Sequence, residues 1–223
     1  MFWAYALIGI AVWLLYRAPG SSPKAITRQA PLKASRAIVV KLAALFSVDA
    51  FAGGLLVNSL LVLWLFERFG MSLTAAAAFF FWTGLLSAGS QLAAAPIARR
   101  FGLLNTMVFT HIPSSVFLIA AAVSPSLEVA LAFMLLRSAL SQMDVPTRSA
   151  YVMAVVTPAE RPAAASFTAV PRSLAAAAGP ALTGMLFSAG ALAVPLIACG
   201  VLKIAYDLAL LAAFRSTAPN LEN

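Results

Sequence analysis

The chain has 223 residues, 62% hydrophobic and 10% charged, with a formal net charge of +8 and a mean hydropathy of +0.95. A water-soluble domain is about half apolar and about a quarter charged, so this composition reads as an integral membrane protein. Short alternating segments of about ten residues are missing, which argues against a β-barrel. The basic residues gather in one linker and at helix ends, a pattern of topology and anionic lipid contact that leaves no folded basic surface for nucleic acid.

Residues 1–16 are apolar and are followed by Arg17. About fifteen residues make roughly 22 Å of helix, short of the roughly 30 Å hydrocarbon core. A signal peptide carries its charge before the apolar run; here the order is reversed, so the segment reads as the end of a longer membrane helix. In the linker 17–37, Arg17, Lys24, Arg28, Lys33 and Arg36 occur with no acid. Pro19, Pro23, Pro31, Gly20, Ser21 and Ser22 break regular structure there, and the positive-inside rule makes the linker cytoplasmic.

The domain 38–215 threads as six spans. Residues 38–66 run outward to a turn at 67–70, and 73–98 return to Arg99 and Arg100. Residues 103–123 run out to Ser124, Pro125 and Ser126; 127–145 come back, with a bend at Pro146 and a continuation over 147–156. An inner loop at 157–162 holds Glu160 and Arg161, 163–187 run out, and 191–214 return to Arg215 before a cytoplasmic tail at 216–223. Every basic cluster except lone Arg68 then falls on one side. The expectation is an all-α membrane protein, six transmembrane helices preceded by one short apolar helix, in a plasma (inner) membrane with an external N-terminus.

Six ionisable residues fall inside these spans: Asp49, Arg137, Asp144, Arg172, Lys203 and Asp207. Three are acidic and three basic, and mutual pairing in a low dielectric accounts for such a balance. In the stretch 136–148, Arg137, Ser141, Asp144 and Arg148 share one helical stripe, with Gln142 beside them. Lys203 and Asp207 are four apart and spaced to pair directly. One reading makes the charges structural ion pairs that set helix register. The other has Arg137 and Lys203 attract an anionic or polar substrate while Asp49 carries a coupling proton, since desolvation favours the neutral form of a carboxylate. Asn58 either lines the cavity or bonds a neighbouring helix.

His111 reads as a hydrogen-bonded helix-interior histidine or a cavity liner, and Cys199, the one cysteine, as a packed residue. Neither has partners at the close spacing that a metal or acid–base site needs. No Ser–His or paired-Asp arrangement points to an enzyme, and no G-x-x-x-x-G-K-[ST] loop points to nucleotide use. No cofactor is expected. Pro171 is expected to kink its helix, while Ala175 to Ala178 with Gly179 and Gly184 form a small-residue face for close approach. Gly53 and Gly54 pack tightly or loosen their helix. Trp64 and the run from Phe79 to Trp82 read as lipid-facing or interfacial anchors.

Three local patterns give a resemblance. Ala95-Pro96-Ile97-Ala98-Arg99-Arg100-Phe101-Gly102 is similar to the signature inner loop G-x-L-A-D-R-x-G of the major facilitator superfamily. Arg100 and Gly102 match, while Ala95 replaces the leading glycine and Arg99 the acid. Leu136-Arg137 followed by Gln142 resembles the arginine-bearing helix found at that superfamily's fourth and tenth positions, and Gly179-Pro180 its Gly-Pro motif. The chain thus resembles the C-terminal half of such a transporter, with 1–16 matching the end of the sixth helix. The resemblance implies a twelve-helix protein that holds a small solute between two six-helix halves and moves it by alternating access; with no nucleotide-binding loop, a gradient of H+ is the expected energy source. It also implies a partner, either a separate first half or a second copy. The alternative is a non-transporting truncated fragment or scaffold that lacks its N-terminal half.

Overall fold

The computed structural model describes residues 2–17 and 30–215. The central part of the expected linker and the tail 216–223 lie outside the described residues. The described chain is helical, in the order α1 (Phe2–Arg17), α2 (Arg36–Gly54), α3 (Asn58–Phe69), α4 (Leu73–Phe101), α5 (Leu103–Ala122), α6 (Leu127–Ser141), α7 (Asp144–Val155), a 3-10 turn (Pro158–Glu160), α8 (Arg161–Ser188) and α9 (Val194–Phe214). Four segments are long and apolar enough to cross a membrane: Arg36–Phe69, which combines α2 and α3, then α4, α5 and α9. The α6–α7 pair and α8 are as long but more polar. The first carries Glu128, Arg137, Asp144 and Arg148, and the second carries two arginines among Ser, Thr, Gly and Pro.

Two of the expected spans are interrupted. The first breaks at Leu55–Val57, where Leu56 N–H donates back to Gly53 O in a tightened last turn and Val57 turns extended before α3. Breaking a helix inside an apolar bundle strands backbone carbonyls, which must find partners. Leu55 O accepts from Thr183 Oγ1 of α8 at 2.8 Å. The other break is at Gln142–Met143, ahead of the expected bend at Pro146. Pro146 instead occupies the first turn of α7, where its missing N–H has no intrahelical partner to lose.

The helix α8 continues through Pro171 and Pro180, so the expected kink at Pro171 does not end it. Pro180 has no N–H to give Ala176 O four residues back, and that carbonyl faces Gly54 of α2. A Cβ on Gly54 would lie 2.3 Å from Ala176 O, and one on Gly179 would lie 2.3 Å from Gly54 C. The two backbones therefore touch, and only glycine fits at either position. Gly184 is different. A Cβ there meets nothing within 4 Å, so the close-packed face ends before it.

The apolar core forms two clusters. One gathers Ala52, Leu55, Trp64, Leu65, Leu118 and Leu196, and the other Val39, Phe46, Val108, Tyr151, Tyr206 and Phe214. Trp64 is 0% exposed and Phe79 is buried, which corrects their reading as interfacial anchors; Phe81 and Trp82 are exposed. Trp64 stacks edge-on against Phe69, so its indole serves the core. The signature-loop residues form no loop: Arg99 and Arg100 end α4, and Gly102 (φ 86°) alone turns the chain into α5.

At one end of the bundle, Arg68 Nη2 donates to Ser124 O at 3.2 Å. At the other, Glu160 accepts the amides of Lys33, Ala34 and Ser35 at 2.7, 2.9 and 2.9 Å. Ser35 is the N-cap of α2 and Lys33 and Ala34 precede it, so Glu160 ties the incoming chain to the start of the helix. Three backbone donors hold the Glu160 carboxyl down at about 2, against an ordinary 4.5.

Candidate functional site

Between the two apolar clusters lies a belt of charge. Asp49 follows Phe46 and precedes Ala52 on α2, His111 lies between Val108 and Leu118 on α5, and Lys203 lies between Cys199 and Tyr206 on α9. Each stands between a residue of one cluster and a residue of the other, with apolar packing on either side. Lys203 Nζ donates to Asp49 Oδ1 at 2.6 Å, and Arg148 Nη2 donates to Asp49 Oδ2 at 2.7 Å. Arg148 also pairs with Asp144 one turn back on α7, and its guanidinium carbon lies 5.1 Å from the centre of the Phe46 ring. His111 Nδ1 is 2.9 Å from Asp207 Oδ2, and its Nε2 is 3.3 Å from Lys203 Nζ. The Nδ1–H tautomer satisfies both contacts, donating to the carboxylate and accepting from the ammonium.

Asp49, Asp144, Arg148, Asp207, His111 and Lys203 are all buried. Breaking one such pair leaves a charge without compensation, at about 3–5 kcal/mol. The direct Lys203–Asp207 pair expected from spacing does not form. Lys203 turns to Asp49 on α2, and Asp207 turns to His111 on α5. Asp49 brings opposite charge from α2 and His111 brings an N–H donor from α5, so both α9 residues are satisfied at once.

The belt opens onto a cavity of about 590 Å³, lined by polar side chains including Asp49, Asn58, Arg137, Gln142, Arg172 and Lys203. Asp144 and Ser141 line it too, so the structure brings every expected pathway residue except Asp207 to one cavity. Asp207 stands behind it, reached through His111. A second cavity of about 330 Å³ shares Asn58, Arg137, Ser141 and Gln142 and continues to Phe79, Phe80, Thr83 and Ser87. Arg137 Nε is buried without a hydrogen-bond partner. Arg172 lies exposed on the cavity wall. Both helix breaks sit here as well: Val57 and Asn58 at the start of α3, and Asp144 and Val145 at the start of α7, line the larger cavity.

Two members of the belt lie outside the six in-span charges. Arg148 shares the stripe of Arg137 and Asp144, but the expected bend at Pro146 assigns it to the inner surface. The break two residues before α7 keeps it inside, four residues after Asp144, and that spacing was its signal. His111 both bonds Asp207 and lines the cavity, so the two roles open to it coincide. Among the described residues, no three potential metal ligands converge.

The chain is 28% identical over 183 residues to the uncharacterized membrane protein YJR124C of Saccharomyces cerevisiae, a match that covers 82% of this chain and 41% of the relative. The chain thus spans about two fifths of the length of that relative. No family model and no solved structure matches the chain.

Proposed function

We propose that this chain is one six-helix half of a major-facilitator-type transporter that moves a small solute across a plasma membrane by alternating access, coupled to protons. In this reading α2 with α3, α4, α5, α6 with α7, α8 and α9 are the six spans. The helix α1 is then the end of the preceding half, and a second half closes the cavity from the other side. The observation that carries it is Asp49, a carboxylate at the wall of a polar cavity, held at once by Lys203 of α9 and Arg148 of α7. Both cations favour the ionised carboxylate, so Asp49 takes up a proton only in a state in which these pairs have opened; a proton there then keeps α2 apart from α7 and α9, which is how a coupling ion biases a two-state bundle. The groups facing Asp49 in that exchange are Lys203, Arg148 and His111, with Asp144 and Asp207 behind them.

The test is flux in proteoliposomes under an imposed pH gradient, with the chain alone and with a first half supplied. Asp49→Asn is expected to abolish gradient-driven uptake while solute exchange without a gradient persists, which separates lost coupling from a lost fold. Gradient-driven flux unchanged in Asp49→Asn removes the coupling role. Absence of flux in both preparations removes transport and leaves a scaffold or fragment.

A further inference from the structure

Counting charges around the larger cavity separates used from unused ones. Its lining holds four permanent cations, Arg137, Arg148, Arg172 and Lys203, and two carboxylates, Asp49 and Asp144. Both carboxylates are paired with Arg148 and Lys203, while Asp207, behind the wall, accepts from His111 and forms no ion pair with Arg137 or Arg172 among the described residues. Arg137 and Arg172 make no ion pair and no hydrogen bond among the described residues, and Arg137 is the one with a buried, unpartnered nitrogen. Arg137 is half-buried and lines both cavities, so its guanidinium reaches the cavity space while its Nε is cut off from water and from every acceptor, and a buried donor without a partner is costly.

A second, independent feature converges on the same spot. The break at Leu55–Val57 ends with the N-terminus of α3 at the cavity wall, and this helix has no side-chain cap and no acidic residue in its first turn. Helix N-termini carry partial positive charge and unpaired amides. The other half-helix, α7, differs, because Asp144 occupies its first turn and answers its dipole internally. Only the α3 end is left for an external anion. Asn58, Arg137, Ser141 and Gln142 are also the four residues shared by the two cavities, so they sit at the waist between them.

We propose that the cavity takes a small organic anion, whose charged group seats on Arg137 and the N-terminal turn of α3 at Asn58, with Ser141 and Gln142 completing its hydrogen bonds. Arg172, exposed at the wall, draws the anion in and is not the seat. Lys203 is excluded from the seat because Asp49 occupies it. The assignment rests on the transport reading for its biological meaning, but binding is measurable without flux.

The experiment uses the purified full chain in lipid nanodiscs and three probes of matched length: glutarate, its neutral diamide glutaramide, and the dication cadaverine. Equilibrium binding and thermal stabilisation are read at low and high salt. Glutarate is expected to bind and stabilise, and the other two are not. Arg137→Gln should weaken glutarate binding roughly thirtyfold or more, the scale of removing one partner of a desolvated charge pair. Arg172→Gln should cost less and remove most of the salt dependence. Arg137→Lys keeps the charge but loses the planar donor set, so it guards against a folding defect and should bind better than Arg137→Gln. Arg215→Gln, at the end of α9, is the control and should bind as the parent does. Glutarate binding that survives Arg137→Gln overturns the proposal, as do equal binding of glutaramide and failure of glutarate to bind. Glutarate binding without flux in proteoliposomes sinks transport alone; flux confined to neutral or cationic solutes sinks the anion assignment alone.

Discussion

Replacing Gly179 by alanine tests the packing that holds the site open. The added Cβ would lie 2.3 Å from Gly54 C and 2.6 Å from both Gly54 Cα and Leu55 N, against 3.4 Å or more for an ordinary contact. All three obstructing atoms are backbone and cannot rotate away, so α2 and α8 must part by about an ångström. Overpacking of this kind costs about 1–3 kcal/mol, and the immovable neighbours put this case at the upper end. Alanine returns about 0.5–1 kcal/mol through its better helix propensity, which leaves a net loss of about 2 kcal/mol. Five residues on, Gly184→Ala meets nothing and should gain about 0.5–1 kcal/mol. Unfolding of both variants in detergent, followed by circular dichroism against temperature or SDS, gives the comparison. Gly179→Ala as stable as Gly184→Ala would refute the account of the α2–α8 contact.

Two other perturbations probe the belt and its anchor. Lys203→Met leaves Asp49 short of one of its two cations and should cost about 3–5 kcal/mol in the same unfolding assay. The double variant Lys203→Met, Asp49→Asn should recover part of that loss, and strict additivity would show that the two do not interact. Glu160 has its folded pKa held at about 2, below an ordinary 4.5. Its stabilising effect is therefore complete above pH 4.5 and is lost as pH falls towards about 2. Glu160→Gln should lower stability at neutral pH and remove that part of the acid sensitivity, and a variant with the parent's profile would show that the cradle at the start of α2 is idle.

Much of the site was legible because charge in an apolar run is conspicuous. Asp49, Arg137, Asp144 and Lys203 each interrupt a long hydrophobic segment, and all four line one cavity. What stayed hidden was the pairing. Four-residue spacing joins Lys203 to Asp207, whereas the helices α2, α5 and α9 bring Asp49 and His111 closer, and packing between helices leaves no trace in spacing along one of them. The break at Leu55–Val57 carries no proline, and its local signal was Gly53 and Gly54 just before it, whose roles of tight packing and of loosening the helix were both left open; the break at Gln142–Met143 carries no local breaker, and Pro146 pointed to the wrong residue. Trp64 and Phe79 looked like anchors because aromatics favour membrane interfaces; burial among α3, α4 and their neighbours depends on partners that the sequence does not announce. The Glu160 cradle is invisible for another reason, since backbone amides bear no residue signature.

The central claim is that these charges border water inside a membrane-embedded bundle. Single cysteines placed at Gln142 and Ser173 on the cavity wall, and at Leu92, 80% exposed on α4, test it in a Cys199→Ser background reconstituted in lipid. A charged, lipid-insoluble methanethiosulfonate should label the cavity positions quickly and leave the Leu92 position unlabelled, while a lipid-soluble maleimide reaches the latter. Cavity cysteines closed to the charged reagent, with the Leu92 position open to it, would contradict the account.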